Sequence, residues 1–218
     1  MNIIDLPINE QIRAIKREFH LMMNGVVSQS MREKGIAYRT NFGVELPRLQ
    51  HFAASLPHTS ELASALWKEQ VRECRLLAPM LMPATDFAED MAELWVEQMN
   101  FPEEAECVVL HLFQHLNYAS LKAFEWIAQE ETMFQLCGWM LLGRLFSKKA
   151  KPAPRDCAEI LDHLYAALHD TNFHIKQAAY RTLMKFMDID SETERQGEQL
   201  LQQLEAETQN LTASNSNV

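Results

Sequence analysis

The chain has 218 residues, 47% of them hydrophobic, and a formal net charge of -10. This length and composition can bury a core without disulfides or a structural metal. The four cysteines lie far apart, which excludes a CxxC redox or zinc-ribbon motif and favours reduced thiols in a cytoplasmic protein. The first ten residues lack the basic and apolar regions of a signal peptide, and no apolar stretch is long enough to span a membrane.

The charge is unevenly distributed. Residues 61–135 carry 4 basic and 14 acidic side chains, whereas residues 136–190 carry 8 basic and 6 acidic ones. Nucleic-acid binding depends on Lys and Arg that neutralise phosphates, so the net charge alone argues against it. A basic face outside the acidic middle is nevertheless compatible with DNA, while the acidic middle would suit a basic protein partner.

Helical spacing of apolar residues dominates the chain, and no stretch alternates like a strand. The clearest helix covers residues 103–116, with Pro102 where its first turn begins. The predicted helices, in chain order, cover residues 9–31, 47–55, 61–81, 86–99, 103–116, 120–129, 132–146, 155–169, 173–187 and 192–210.

Short turns join these helices, which favours antiparallel pairs. An apolar residue followed by a polar one opens the second helix of successive pairs, at intervals of roughly 30 to 40 residues. These couples are Val71-Arg72, Ala105-Glu106, Phe134-Gln135 and Ile175-Lys176. The sequence therefore predicts an all-α protein, an α-solenoid of antiparallel helix pairs whose second helices line one surface. Residues 1–210 are expected to form a single domain, and residues 211–218 a disordered tail.

Three ordered segments resemble the HEAT-like DNA alkylation repair family of alkylpurine DNA glycosylases. The run NFGVELPR at 41–48 is similar to the family's loop before the third helix. Leu66-Trp67, Arg72-Glu73 and Ala78 follow at the spacing of the family's next helix pair, and Trp126-Ile127-Ala128 precedes Phe134-Gln135, again at the family's spacing. The resemblance covers about residues 10–187.

The resemblance implies a right-handed α-solenoid or superhelix of antiparallel HEAT-like helix pairs that holds duplex DNA in a concave groove and excises cationic alkylpurines. Aromatic faces attract such a base, a carboxylate stabilises the developing oxocarbenium ion, and Arg and Lys hold the phosphates. The family's catalytic positions are mostly not matched here. Pro102 and Glu106 stand where the family has tryptophan and aspartate, Leu136 stands where it has a groove arginine, and Arg181 and Met184 stand where it has tryptophan and arginine.

The candidate catalytic residue is accordingly Glu106, which could equally be one more acid on a solvated face. Tyr38 matches a family aromatic that contacts the lesion strand, or it covers the core beside its loop. The candidate phosphate contacts are Lys148, Lys149, Lys151, Lys176, Arg181 and Lys185, for which the alternative is solubilising surface charge.

Other site chemistry is not indicated. Glu103, Cys107, His111 and His115 share one helix side at zinc-ligand spacing, but a stripe on one helix does not close a tetrahedral site unaided, so no metal is predicted. The four tryptophans sit among apolar residues and are expected in the core. No catalytic triad, phosphate-binding glycine loop or nucleotide fingerprint is present, so no cofactor is expected. The sequence thus favours DNA binding with doubtful glycosylase activity, with a non-catalytic protein-interaction module as the alternative.

Overall fold

The computed structural model describes residues 6–215, apart from the side chains of residues 208 and 211–215. Within the described chain there is no β-strand, only one backbone bridge between Thr40 and Val71, and the predicted all-α, HEAT-like fold class is confirmed. The helices fall into two compact units, Met1–Asn117 and Tyr118–Val218. No helix in the described residues is long and apolar enough to cross a membrane.

The N-terminal unit contains seven α-helices among its described residues. They are α1 (Ile8–Leu21), α2 (Gly25–Glu33), α3 (Leu46–Ala53), α4 (Ser60–Trp67), α5 (Arg72–Leu81), α6 (Glu89–Glu97) and α7 (Pro102–His111). Short 3-10 turns follow α5 and α7, at Ala84–Asp86 and Phe113–His115. Pro102 begins α7 as predicted, because a missing N–H costs nothing in a first helical turn.

Helix α5 forms the centre of this unit. It packs against α3, α4 and α7, and nine of its ten residues are buried. The indole of Trp67 in α4 stacks on that of Trp95 in α6, with ring centroids 4.2 Å apart, and the guanidinium of Arg75 lies 4.0 Å from the Trp67 ring centroid. The charged side chains of α5 are therefore part of the core.

The C-terminal unit contains α8 (Ala119–Ile127), α9 (Thr132–Ser147), α10 (Pro154–Leu168), α11 (Phe173–Met187) and α12 (Ser191–Asn215). Helix α9 packs between α8 and α11, and α11 also contacts α10 and α12. At the α9–α11 contact the hydroxyl of Thr182 donates a 2.6 Å hydrogen bond to the carbonyl of Trp139. Helix α12 continues to Asn215, past the predicted start of the tail, and residues 216–218 lie outside the described residues.

Three predicted helices are wrong in extent. The helix predicted over 103–116 ends at His111 and is followed by the 3-10 turn Phe113–His115, and two others are each divided in the structure. The predicted helix 9–31 stops at Leu21 and restarts at Gly25, where the Asn24 side chain accepts a hydrogen bond from the amide of Val27 and its own amide donates to the carbonyl of Phe42. The predicted helix 61–81 is interrupted after Trp67, since the amide of Arg72 donates instead to the carbonyl of Thr40. Both breaks depend on backbone partners distant in sequence.

The tryptophan prediction is confirmed, since all four indoles are at most 1% exposed. All four cysteines are free and buried as well. Burial raises the pKa of each thiol above its ordinary value, so none of them has the exposed, acidic character of a reactive cysteine.

Candidate nucleic-acid interface

A buried ion network joins α5, α7 and the loop before α3. The guanidinium of Arg72 binds the Glu103 carboxylate through two nitrogens, at 2.9 and 2.8 Å, and also donates to Glu73 at 3.2 Å. Glu73 is fully buried, and its two oxygens accept the amides of Phe42 and Val44, both at 3.2 Å. The network therefore fixes the loop that carries the family-like NFGVELPR run.

A second buried pair joins the same two helices, one turn further along α5 and one residue further along α7. Arg75 binds the carboxylate of Glu104, which is fully buried and accepts the amides of Asn100 and Phe101 at the start of α7. Arg75 also donates to the carbonyls of Trp67 and Gln98. Because every charge in this pair is hydrogen-bonded, its desolvation is compensated.

Glu106 lies on α7 beside a small open pocket of about 170 Å³, which we call the Glu106 pocket. Its carboxylate is exposed, whereas the neighbouring Glu103 is committed to Arg72. The pocket is lined by Leu46, Arg72, Leu76, Glu103, Glu106, Cys107 and Leu110. The lining therefore offers a carboxylate and aliphatic surface but no aromatic face for a cationic base.

Tyr38 is half-buried and packs its ring against Phe101, with centroids 4.2 Å apart. Its hydroxyl is buried. Burial is the main reason that the pKa of Tyr38 is raised, and the negative charges of Glu104 and Glu103 raise it further. Tyr38 and the Glu106 pocket thus both lie next to Arg72 and Glu103 of the ion network. This contact with Phe101 is compatible with the second interpretation of Tyr38, in which its ring covers the core beside its loop.

Three of the four side chains at zinc-ligand spacing lie on α7 and have other partners, and the fourth, His115, lies in the 3-10 turn after the helix. Glu103 binds Arg72, and the thiol of Cys107 is buried and lies 3.2 Å from the Leu76 carbonyl. The ring of His111 lies 3.2 Å from the side-chain amide of Gln50. Burial is the main reason that the pKa of His111 is lowered, and the charge of the nearby His115 lowers it further. No group of three or more potential ligands is assembled within the described chain.

The basic turn after α9 is partly engaged in contacts of its own unit. Lys149, in the left-handed region at φ 60°, donates to the carbonyl of Asp188, and Lys151 forms an ion pair with Asp190. Lys148 is exposed at the same turn. Lys149 and Lys151 therefore tie the end of α9 to the turn between α11 and α12.

Helix α11 carries the remaining candidate cations. Its fifteen residues include no Asp or Glu. Lys185 faces Asp188 at 3.5 Å, whereas Lys176 and Arg181 are exposed and make no hydrogen bond or ion pair within the described chain. These two side chains are the predicted phosphate contacts that the fold leaves most available.

The other family-aligned positions do not supply the missing groups. Leu136 is buried in α9 and Met184 is half-buried in α11, so neither can replace an arginine. The structure places Tyr38 and Glu106 in the N-terminal unit and all six candidate Lys and Arg residues in the C-terminal unit.

Sequence reasoning missed one feature in each unit. In the N-terminal unit it is the ion network, whose signal is the presence of Arg72, Glu73 and Arg75 in the first turn of a helix that is otherwise apolar. The other is the exposure of two aromatic rings on α11, Phe173 and Tyr180. A helical projection reveals the feature of the C-terminal unit, because both rings lie opposite the buried residues Ile175, Ala178 and Thr182.

Comparisons with known proteins support the HEAT-like helical-repeat fold. One solved structure, described as a new family of proteins related to the HEAT-like repeat DNA glycosylases with affinity for branched DNA structures, superposes with a TM-score of 0.78 at 16% identity. The match covers 86% of this chain and 80% of the other. No curated protein matches the chain. The family described as DNA alkylation repair enzyme matches residues 15–196, and the chain belongs to that family.

Proposed function

We propose that this chain binds DNA, that it anchors the phosphates on helix α11, and that it excises alkylpurines poorly. The observation that carries the proposal is the pair of exposed, unengaged cations Lys176 and Arg181 on a helix without acidic residues, in a chain of net charge -10. Phosphate contacts by Lys and Arg supply most of the affinity for DNA in the absence of base readout. The likeness to a protein described as having affinity for branched DNA structures supports branched DNA as a ligand, and the resemblance to the DNA alkylation repair family supports duplex DNA.

Poor excision is supported by the Glu106 pocket. Its carboxylate is available, but the aromatic and arginine side chains of the resembled glycosylases are replaced by Pro102, Leu136 and Met184. A cationic purine would meet aliphatic side chains there rather than ring faces. The proposal is therefore a binding function on a repair-enzyme fold.

The binding proposal is tested by fluorescence anisotropy with intact duplex and a four-way junction at several salt concentrations. In Lys176→Ala/Arg181→Ala, affinity should fall, and the slope of log affinity against log salt should flatten by about 0.9 for each phosphate that the variant no longer neutralises. Arg13→Ala/Arg17→Ala is the matched control, since it removes two exposed cations from α1. Salt-insensitive binding by the wild type, or an equal fall in affinity in both variants, would reject the α11 anchor.

A protein-interaction module is the second candidate, favoured by the exposed apolar side chains Leu21, Met23 and Val26 at the α1–α2 junction. Failure of the wild type to bind either DNA at low salt would reject DNA binding and favour this assignment.

A further inference from the structure

The outer face of α11 presents two aromatic rings to solvent. Phe173 is 66% exposed and Tyr180 is 49% exposed, whereas the tryptophans of the same unit are buried. The two rings lie two helical turns apart, about 10 Å along the axis, and project from the same side of the helix. Gln177 and Met184, which are both half-buried, continue this side, and the four residues form what we call the α11 stripe.

Cations border the stripe on both sides. Lys176 lies on one side between the two rings, and Arg181 lies on the other side next to Tyr180. The helix itself contributes no acidic side chain. An apolar protein partner would gain little from two unengaged cations beside the rings, whereas a polyanion that also carries flat apolar groups complements both.

The geometry points to the α11 stripe as a stacking site for unpaired DNA bases, with Lys176 and Arg181 holding the flanking phosphates; this inference rests on the proposed DNA binding. Aromatic side chains stack on any exposed base, so such a site does not depend on sequence. In an intact duplex the base faces are covered by neighbouring pairs. The α11 stripe therefore selects DNA in which bases are exposed, at branch points and in single strands.

The selectivity is tested with four fluorescent DNAs of matched sequence: an intact duplex, a fork, a four-way junction and a single strand. Phe173→Ala/Tyr180→Ala should weaken binding to the fork and single strand by at least about tenfold. Binding to intact duplex should change less than about twofold, and the salt slope should stay unchanged because no cation is removed. Leu121→Ala, which truncates another exposed apolar side chain of the same unit, should leave all four affinities unchanged.

A conservative variant separates stacking from mere loss of surface. Tyr180→Trp keeps an aromatic face and should retain wild-type affinity, and its indole, unlike the four buried native ones, should be quenched by the single strand but not by intact duplex. Circular dichroism and thermal unfolding establish that each variant is folded.

The outcomes distinguish this inference from the proposed function. If the wild type binds no DNA, the proposed function fails and the stacking site fails with it. If the wild type binds DNA but the double aromatic variant binds all four DNAs normally, or is weakened equally on duplex and fork, the stacking site alone is rejected. Selective weakening on DNA with exposed bases, together with quenching of the introduced indole, supports it.

Discussion

Individual charged residues in this protein differ greatly in their structural importance. Glu73 is fully buried and is hydrogen-bonded to Arg72 and to two loop amides. Glu69, just before α5, forms an ion pair with Lys16, and both of these side chains are about a third exposed. Removing one partner of a buried pair leaves an uncompensated charge, and solvent screens an exposed pair. Two acids close in sequence therefore have different roles.

Glu73→Ala should lower the free energy of unfolding by about 3–5 kcal/mol, since it removes one of the two carboxylates that bind Arg72 and leaves the amides of Phe42 and Val44 without their acceptor. Glu69→Ala, the matched control, should cost about 0–1 kcal/mol. Urea unfolding of the two variants measures both values. Equal and small effects would show that Arg72 is satisfied by Glu103 and the Val44 carbonyl alone.

The next prediction concerns Glu106 and the rate at which the protein excises alkylpurines. Release of 3-methyladenine or 7-methylguanine should be far below that of a family member retaining both tryptophans, the aspartate and the arginine, because misplacing a catalytic group by about 1 Å can cost on the order of a hundredfold. Chromatography of purines released from alkylated DNA measures this rate. Rapid release that disappears in Glu106→Gln would contradict the prediction and assign catalysis to that carboxylate.

At the scale of elements, the helices of the C-terminal unit pack closely enough that some positions must lack a side chain. A Cβ on Gly138 in α9 would lie 2.7 Å from the backbone nitrogen of Ile127 at the end of α8. Backbone cannot move aside as a flexible side chain can. The contact between α8 and α9 therefore depends on this glycine.

Gly138→Ala should destabilise the protein by about 1–3 kcal/mol through overpacking. Gly25→Ala provides the same substitution without a clash, since nothing lies within 4 Å of a Cβ there, and its effect should stay within about 0.5 kcal/mol. Thermal and urea unfolding compare the two. A neutral Gly138→Ala variant would show that α8 can shift at no cost in stability.

At the scale of the whole molecule, the sequence predicted the fold class well because helical periodicity is a local signal. It could not locate the breaks at 22–24 and 68–71, since the carbonyls of Phe42 and Thr40 that accept the amides there are distant in sequence. The acidic middle was misleading for a similar reason. Glu73, Glu103 and Glu104 are bound to Arg72 and Arg75, so part of the acidic segment is internal structure.

The candidate site was only partly predictable. Spacing placed Glu106 on a helix, and the basic residues in the turn after α9 and on α11, as the structure has them. Spacing could not tell that Lys149 and Lys151 have partners while Lys176 and Arg181 do not, because those partners belong to a turn about 39 residues away. The single repeat domain over residues 1–210 stays a prediction.

The burial of every cysteine has a practical consequence for labelling. Thiol reagents attack thiolates that solvent can reach, and all four native thiols are enclosed and have raised pKa values. A cysteine introduced on the exposed side of α11, as in Gln177→Cys, is therefore the one fast-reacting thiol of the folded protein. A fluorophore or spin label can be attached at the α11 stripe with all native cysteines in place.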